Sequence, residues 1–171
     1  AADGCENNCT VTTGYYCSSS PSSCHTTCGD GIKAGTEQCD DGNVSSGDGC
    51  SNSCVIESGF SCSGTTPSSC HTTCGDSIKA GSETCDDGNT SNNDGCSSVC
   101  AVESGYLCSG TPSSCSAICG DGIKTGSESC DDGNTSNGDG CSASCTIESG
   151  WSCTGSPSTC QTGCGDGIIA G

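Results

Sequence analysis

Apolar residues are sparse along the chain, and they occur in short segments separated by long polar stretches. No segment places them at the 3.6-residue spacing of an amphipathic helix. They cluster instead in segments such as CVIESGFSC (residues 54–62), where branched and aromatic side chains come together between cysteines. Clusters of this length, bounded by Gly, Ser, Asn and Asp, are typical of short strands. The pattern therefore predicts small irregular units with short β-hairpins and little or no helix.

The whole pattern recurs with a period of 45 or 46 residues, and all six cysteines of the block return in register. A period of this length predicts an array of small modules, each stabilised by its neighbours, in the form of an elongated tandem rod. Residues 1–27 match the C-terminal part of a repeat, and 164–171 match the start of a further one. Either the chain is a window from a longer array, or copies join head to tail. The predicted complete repeats are residues 28–73, 74–118 and 119–163.

Composition argues against an ordinary core and for a disulfide scaffold. Hydrophobic residues make up 29% of the 171 residues, and 23 of them are Cys. Such a set cannot offset the backbone entropy of folding by burial alone, whereas disulfides can restrict the unfolded chain. Disulfides at this density indicate an oxidising compartment, so we expect an extracellular or cell-surface protein. No run of apolar residues is long enough for membrane insertion.

The chain carries a formal net charge of −18, and its cations are Lys33, Lys79 and Lys124. Nothing in this set would neutralise the phosphates of a nucleic acid, so nucleic acid is excluded as a partner. Metal cations, in contrast, are favoured by the charge.

Six cysteines per repeat allow 15 pairings. The fragment at residues 1–27 contains only the third to sixth cysteines of the block. If these four close among themselves, the first cysteine of each repeat pairs with the second, as Cys28–Cys39, Cys74–Cys85 and Cys119–Cys130. For the other four we favour Cys50–Cys62 and Cys54–Cys70. Cys164 is then the odd cysteine and a candidate for an intermolecular bridge. The rival hypothesis treats the C-x3-C pairs as zinc ligands.

The acidic loop is the motif with the clearest chemistry. It recurs as CDDGNVSSGDGC, CDDGNTSNNDGC and CDDGNTSNGDGC. Calcium takes six to eight oxygen ligands, and a Gly inside an acidic cluster lets the backbone fold around an ion. The alternative is that Asp, Asn and Gly simply form turns here. The calcium hypothesis names as ligands Asp40, Asp41, Asn43, Asp48, Asp86, Asp87, Asn89, Asp94, Asp131, Asp132, Asn134 and Asp139.

Two kinds of glycosylation are also indicated. Asn43, Asn89 and Asn134 begin N-x-Ser sequons, which compete with the metal hypothesis because a buried ligand cannot carry a glycan. Ser and Thr around Pro are the composition of O-glycosylated stalks. In the polar link SGTTPSSCHTT the candidates are Thr65, Thr66, Ser68 and Ser69.

The aromatic residues favour packing over binding, and no catalytic set is visible. Each repeat places a ring between a Gly and its fifth cysteine, at Tyr15, Phe60, Tyr106 and Trp151. We interpret the ring as a packing element on a disulfide or on the next module; a row of sugar-stacking rings is the alternative. No histidine recurs in every repeat, and an array of this kind offers no deep pocket, so we do not expect an enzyme.

The order CGDG, E-x-CDDGN, DGCS-x2-C and E-x-G-aromatic-x-C resembles the Myxococcus-type cysteine-rich repeat across essentially the whole chain. The resemblance implies tandem modules in large secreted or surface proteins, of structural or adhesive character. The acidic loop is also similar to the calcium-binding Lin-12/Notch repeat, although the cysteine spacing differs. We therefore expect a structural component of an extracellular filament or surface appendage, assembled head to tail. The alternatives are a calcium-dependent adhesion or ligand-binding ectodomain and a processing segment of a secreted enzyme.

Overall fold

The computed structural model describes residues 4–8 and 10–163, and none of these residues forms a helix. Within this part of the chain the regular elements are eight short strands, paired in sequence order as four separate antiparallel hairpins. This arrangement confirms the predicted small disulfide-rich repeat fold. The strands are β1 (Tyr15–Ser18), β2 (Ser23–Thr26), β3 (Phe60–Ser63), β4 (Ser69–Thr72), β5 (Tyr106–Ser109), β6 (Ser114–Ala117), β7 (Trp151–Gly155) and β8 (Ser158–Thr162).

Each hairpin brings two cysteines directly opposite each other. In β3 and β4 the register pairs Phe60 with Thr72 and Cys62 with Cys70. The pattern of apolar residues indicated β3 but not β4, which lies in the segment that sequence alone marked as a polar link. A four-residue strand of Ser, Cys, His and Thr has no apolar signature. It is held in place by its partner strand and by the disulfide that joins them.

The predicted disulfide pairing is wrong at every position that the structure describes. The first cysteine of a module pairs with the fourth, the second with the third, and the fifth with the sixth. The module that begins at Cys28 therefore contains Cys28–Cys54, Cys39–Cys50 and Cys62–Cys70. The equivalent bonds described elsewhere are Cys17–Cys24, Cys85–Cys96, Cys108–Cys115, Cys119–Cys145, Cys130–Cys141 and Cys153–Cys160.

The physical reason for the error is that the chain reverses inside the acidic loop. Cys39 and Cys50 flank that loop, and their Cα atoms lie 5.9 Å apart, the separation of a disulfide. Because Cys85 is bonded to Cys96 and Cys130 to Cys141, neither Cys74–Cys85 nor Cys119–Cys130 forms. Cys74 and Cys100 are disulfide-bonded too. Cys164, the candidate for an intermolecular bridge, lies outside the described residues.

Cysteine and aspartate occupy the interior, as the shortage of aliphatic residues requires. Among the described residues, the buried apolar side chains are cysteines and Tyr106. In the module that begins at Cys28, the buried cluster is Cys39, Cys50 and Cys54, with Ile56 packed against it. Asp40, Asp86 and Asp131 are fully buried. The interior of each module is thus a set of disulfides around a carboxylate, and its electrostatics decide how the loop folds.

The recurring aromatic ring packs against glycines, which supports its interpretation as a packing element. A Cβ placed on Gly49 would lie 2.8 Å from the ring of Phe60, and one placed on Gly81 would lie 3.1 Å from it. Gly81 belongs to the opening turn of the following repeat. Tyr106 stands in the same relation to Gly95 and Gly126. Because all four glycines have positive φ and face a ring, a side chain at any of them would be strained and would clash.

The chain divides into two compact units, Ala1–Glu83 and Thr84–Gly171. The first contains the hairpins β1–β2 and β3–β4, and the second contains β5–β6 and β7–β8. Within the described residues, no helix is long and apolar enough to cross a membrane.

Candidate functional site

The acidic loop is the twelve-residue segment 39–50, with equivalents at 85–96 and 130–141. A disulfide joins its first and last residues in all three copies, as in Cys39–Cys50. The loop contains no strand, and its order comes from side chains that accept hydrogen bonds from the backbone. Its two adjacent aspartates have opposite environments.

The first aspartate of the pair points into the module. Asp40 is fully buried, and its carboxylate accepts hydrogen bonds from three backbone N–H groups. Gly29 donates to Oδ2 at 2.8 Å, while Gly31 and Gly42 donate to Oδ1 at 2.8 and 3.0 Å. All three glycines have positive φ, which turns successive N–H groups towards one point. Asp40 therefore acts as the centre around which the opening turn and the acidic loop are folded.

Asp131 reproduces this geometry in the third copy. Gly120, Gly122 and Gly133 donate to its carboxylate at 2.8, 2.9 and 2.9 Å. Burial by itself would raise the pKa of Asp131. The hydrogen bonds from the backbone outweigh burial and hold the pKa below its ordinary value. The carboxylate is consequently charged at neutral pH, and its charge is balanced by peptide dipoles.

The second aspartate of the pair is half-buried and lies on the outer side of the loop with the remaining, exposed candidate ligands. Asp41 Oδ1 accepts a hydrogen bond from the backbone N–H of Asn43 at 3.2 Å. The Asn43 side-chain amide donates to Oδ2 of Asp48, also at 3.2 Å. The structure therefore brings Asp41, Asn43 and Asp48 together and separates them from the buried Asp40.

The other two copies of the loop follow the same division. In the third copy the amide of Asn134 donates to Asp132 at 3.1 Å and to Asp139 at 3.2 Å. In the second copy the backbone N–H of Asn89 donates to Asp87 at 3.3 Å, and Asp94 is exposed. Asp86 is buried, like Asp40 and Asp131. The twelve proposed ligands thus fall into three buried aspartates and nine residues nearer the surface.

Sequence reasoning missed one kind of functional carboxylate, the Glu that precedes the hairpins β3–β4, β5–β6 and β7–β8. Both oxygens of Glu57 accept from the N–H of Gly47, at 2.9 and 2.7 Å, and Oε2 also accepts from Gly49 at 2.9 Å. Glu103 and Glu148 do the same for the second and third loops. The recurrence of Glu in the E-x-G-aromatic motif was the available signal, because a Glu at a fixed phase of every repeat suggests a fixed partner.

Each compact unit contains a group of side chains whose potential metal-ligand atoms lie within 4.8 Å of one another. Among the described residues these groups are Cys28 with Asp40 and Cys54, and Cys119 with Glu128 and Cys145. Their spacing could accommodate a metal ion. In both groups, however, the cysteines are disulfide-bonded, so neither supplies the thiolate that a zinc site requires. The oxygens of Asp40 are in addition occupied by backbone N–H groups.

The glycosylation candidates divide by exposure. Asn43, Asn89 and Asn134 are exposed, as are Thr65, Thr66 and Ser69. Ser68 is only 5% exposed; its hydroxyl accepts from the N–H of Asp40 at 3.1 Å and donates to the Gly64 carbonyl at 3.2 Å. The prediction of a glycan on Ser68 is therefore wrong for the folded module, because this side chain connects the hairpin turn to the acidic loop.

Comparison with known families gives one result. A family model described as "Domain of unknown function (DUF4215)" matches residues 7–55, 57–101 and 103–146, which together are most of the chain. Three tandem matches support the cysteine-rich repeat but not the Myxococcus-type assignment. Each match begins before a hairpin and ends after the next acidic loop, so the family divides the array at a different phase from 28–73. No curated protein matches the chain.

Proposed function

The chain belongs to the DUF4215 family, and from this premise we propose that it is a structural component of an extracellular filament or surface appendage. Its disulfide-rich tandem repeats are those of an extracellular structural or ectodomain module. The finer assignment as a filament component is supported by how each module is stabilised and by how it contacts the next. Catalysis is not part of the proposal.

The observation that carries the proposal is that each module is stabilised locally. Three disulfides and one buried carboxylate fix about 45 residues without an aliphatic core. Disulfides mainly restrict the unfolded chain, so they protect a module even when it is stretched or partly opened. A module of this kind tolerates mechanical load and proteolysis better than one held by a small hydrophobic core.

The contacts between successive repeats are directional, which favours end-to-end addition. The ring of Phe60 at the end of one repeat lies against Gly81 in the opening turn of the next, within the first compact unit. Gly59 likewise faces Ile78 and Ala80. In the second unit, Tyr106 and Gly105 meet Gly126 and Ile123 in the same way. A contact between different surfaces of identical modules can be repeated without closure, and repetition between copies of the chain would give a head-to-tail fibre.

Glycans are the second part of the proposal. We place N-linked glycans on Asn43, Asn89 and Asn134 and O-linked glycans on Thr65, Thr66 and Ser69, all of which are exposed. In each sequon the N–H of the hydroxyl residue donates to the Asn side-chain oxygen, at 2.6 Å for Ser45 and 2.7 Å for Ser136. The side-chain nitrogen donates to Asp48 in the first loop and to Asp132 and Asp139 in the third, so a glycan there would share this nitrogen with those contacts.

Electron microscopy of purified native material tests the structural role. We expect regular filaments whose axial repeat is a multiple of the module length. Glycopeptide mass spectrometry of the same material should find sugar on the exposed residues and none on Ser68. Dispersed monomers under all conditions would contradict the filament, and an intact mass equal to the unmodified 16.5 kDa chain would contradict glycosylation.

The alternative function is a calcium-dependent adhesion or ligand-binding ectodomain, and one observation favours it. Asn134 brings the carboxylates of Asp132 and Asp139 to 3.1 and 3.2 Å from a single amide nitrogen, and the net charge of −18 attracts cations. In this alternative, calcium binds to the set nearer the surface in each loop, with Asp41, Asn43 and Asp48 in the first. The buried aspartates are excluded because backbone N–H groups occupy their oxygens.

Titration calorimetry distinguishes the two functions. Calcium added to chelator-treated protein should release or absorb heat in the alternative, and Asp132→Asn with Asp139→Asn should remove one site of three. Asp131 should not be substituted in this experiment, because its loss would unfold the loop. If no heat of binding is measured at millimolar calcium, the alternative function is contradicted, and the Asp, Asn and Gly residues of the acidic loop serve only to form turns.

A further inference from the structure

The sequence is rich in Asp-Gly and Asn-Gly, the dipeptides that most readily form a cyclic imide. Residues 4–8 and 10–163 contain eight Asp-Gly pairs and one Asn-Gly pair, Asn137–Gly138. At such pairs the glycine nitrogen, after losing its proton, attacks the side-chain Cγ of the preceding residue. A new N–Cγ bond forms, and water leaves from Asp or ammonia from Asn. Water then opens the cyclic imide on either side, giving Asp or isoaspartate, with a lengthened backbone in the second case.

In the described part of the chain, every one of these glycine N–H groups donates to a carboxylate. The first copy of the repeat shows the pattern: Gly31 and Gly42 donate to Asp40 at 2.8 and 3.0 Å, and Gly49 donates to Glu57 at 2.9 Å. The remaining donors, at 2.9–3.0 Å, are Gly88 to Asp86, Gly95 to Glu103, Gly122 and Gly133 to Asp131, and Gly138 and Gly140 to Glu148.

We propose that these carboxylates protect the Asp-Gly and Asn-Gly junctions from imide formation. When the protection is removed, Asn137 is the residue that is modified first, by deamidation. Two physical effects act together. The hydrogen bond occupies the N–H and directs the nitrogen away from the preceding side chain. The negative charge of the acceptor also disfavours the amide anion that must form before attack, because two like charges would then be about 3 Å apart.

The attacked side chains are held as well. Asp41 Oδ1 is engaged by the backbone N–H of Asn43, and Asn137 Oδ1 accepts from the N–H of Ala143 at 3.0 Å. Rotation of either side chain towards its own glycine nitrogen would break a hydrogen bond. The glycine nitrogen and the side-chain Cγ that it would attack are therefore both held in orientations that disfavour the reaction. This inference is independent of the filament proposal, since it concerns the durability of any module with this loop.

Glu148 offers the cleanest test, because it accepts from both Gly138 and Gly140. The full chain is incubated for weeks at 37 °C and pH 7.4 beside its Glu148→Ala and Glu148→Gln variants and a reduced, alkylated sample. Deamidation of Asn137 is followed by mass and isoaspartate by methyltransferase labelling. We expect about tenfold or more acceleration at Asn137 in Glu148→Ala, the factor that corresponds to loss of one charge-assisted hydrogen bond. Glu148→Gln keeps an acceptor and should be intermediate.

Two controls separate protection from general loosening. In Glu148→Ala the pairs Asp121–Gly122 and Asp132–Gly133, which depend on Asp131, should age as slowly as in the parent chain. Glu103→Ala, the matched variant in the second copy, should leave Asn137 unchanged. The reduced, alkylated chain should age at all of these junctions. If Asn137 in the native parent deamidates as fast as in the reduced chain, the proposal is overturned even if no variant folds. Equal rates in the parent and a folded Glu148→Ala would also overturn it.

Discussion

The acidic loop and the hairpin of one module reach order by opposite routes. In the loop, Cys39 and Cys50 are 0% and 1% exposed, no strand forms, and a buried carboxylate collects the backbone N–H groups. In the hairpin, β3 and β4 pair backbone to backbone, and the disulfide Cys62–Cys70 is only half-buried. The loop depends on one charged side chain, whereas the hairpin distributes its stability over a ladder and a covalent bond.

This difference indicates which region of a protein without an aliphatic core is more sensitive to substitution. A buried charge is tolerated only while its hydrogen bonds are complete. A two-stranded hairpin is marginal by itself, and the cross-strand disulfide makes it persist. Substitutions should therefore be severe and local in the loop, but graded in the hairpin.

The largest expected effect is that of Asp131→Ala. Removing the carboxylate leaves the N–H groups of Gly120, Gly122 and Gly133, whose hydrogen bonds are part-buried, without their acceptor. At about 1–3 kcal/mol for each unsatisfied group, the free energy of opening this loop should fall by roughly 4 kcal/mol. Hydrogen exchange of these three amides measures the loss directly. Amides of β7 and β8 should keep most of their protection.

Asp132→Ala is the matched control, because it changes the adjacent aspartate, which lies nearer the surface. It removes contacts to Asn134 only, and the change should stay within about 0.5 kcal/mol. If both variants lose protection equally, or if β7–β8 opens together with the loop, the contrast between the two regions fails.

Removal of single disulfides should give the next largest effects. The loop-closure model assigns about 3.5 kcal/mol to Cys28–Cys54, with a sequence separation of 26, and about 2.5 kcal/mol to Cys62–Cys70, with a separation of 8. The paired Ser variants, compared by the denaturant dependence of module opening, should follow that order. Under mild reductant the order of reaction should reverse. The half-buried hairpin bridge should be reduced before the buried bridges, because exchange needs access to sulfur. Partial reduction followed by mass mapping measures this order, and reduction of a buried bridge before Cys62–Cys70 would contradict it.

The sequence predicted the fold class more fully than it predicted the site. Sparse apolar clusters and periodic cysteines were sufficient for small hairpin modules, because those properties depend on composition and spacing. The pairing of Cys39 with Cys50 was not accessible, since it depends on a chain reversal around Asp40. The letters DD also look equivalent in sequence. Only the structure shows that Asp40 is buried while Asp41 lies nearer the surface, because burial follows from where the glycine N–H groups converge.

A smaller effect is expected from the ring that connects the two regions. Phe60 begins β3 and lies against Gly49 of the acidic loop and Gly81 of the following turn. Phe60→Ala should destabilise the module by about 1.5 kcal/mol, less than a fully buried ring, because Phe60 is only partly buried. Leu107→Ala is the control, since Leu107 is 65% exposed on β5 and should change stability little. If hydrogen exchange in Phe60→Ala accelerates in β3 alone, with the amides of Gly49 and Gly81 unaffected, then the ring does not couple the loop to the hairpin.

The smallest effect concerns acid, and its sign follows from the lowered pKa of Asp131. Burial opposes the charged form, but the N–H groups of Gly133, Gly122 and Gly120 stabilise it more strongly. The resulting stability is fully present above the ordinary pKa of an aspartate and is lost as pH falls through the lower native pKa. Protonation should weaken the loop less than Asp131→Ala does, because a neutral carboxyl still offers a carbonyl oxygen to one or two donors. In an NMR titration the amide of Gly122 should shift at a pH below the ordinary pKa of an aspartate, while β7 and β8 stay constant. Asp131→Asn should abolish that shift. A midpoint for Gly122 at or above that of an exposed aspartate would mean that the loop does not depend on a charged centre, and the contrast with the hairpin would then have another cause.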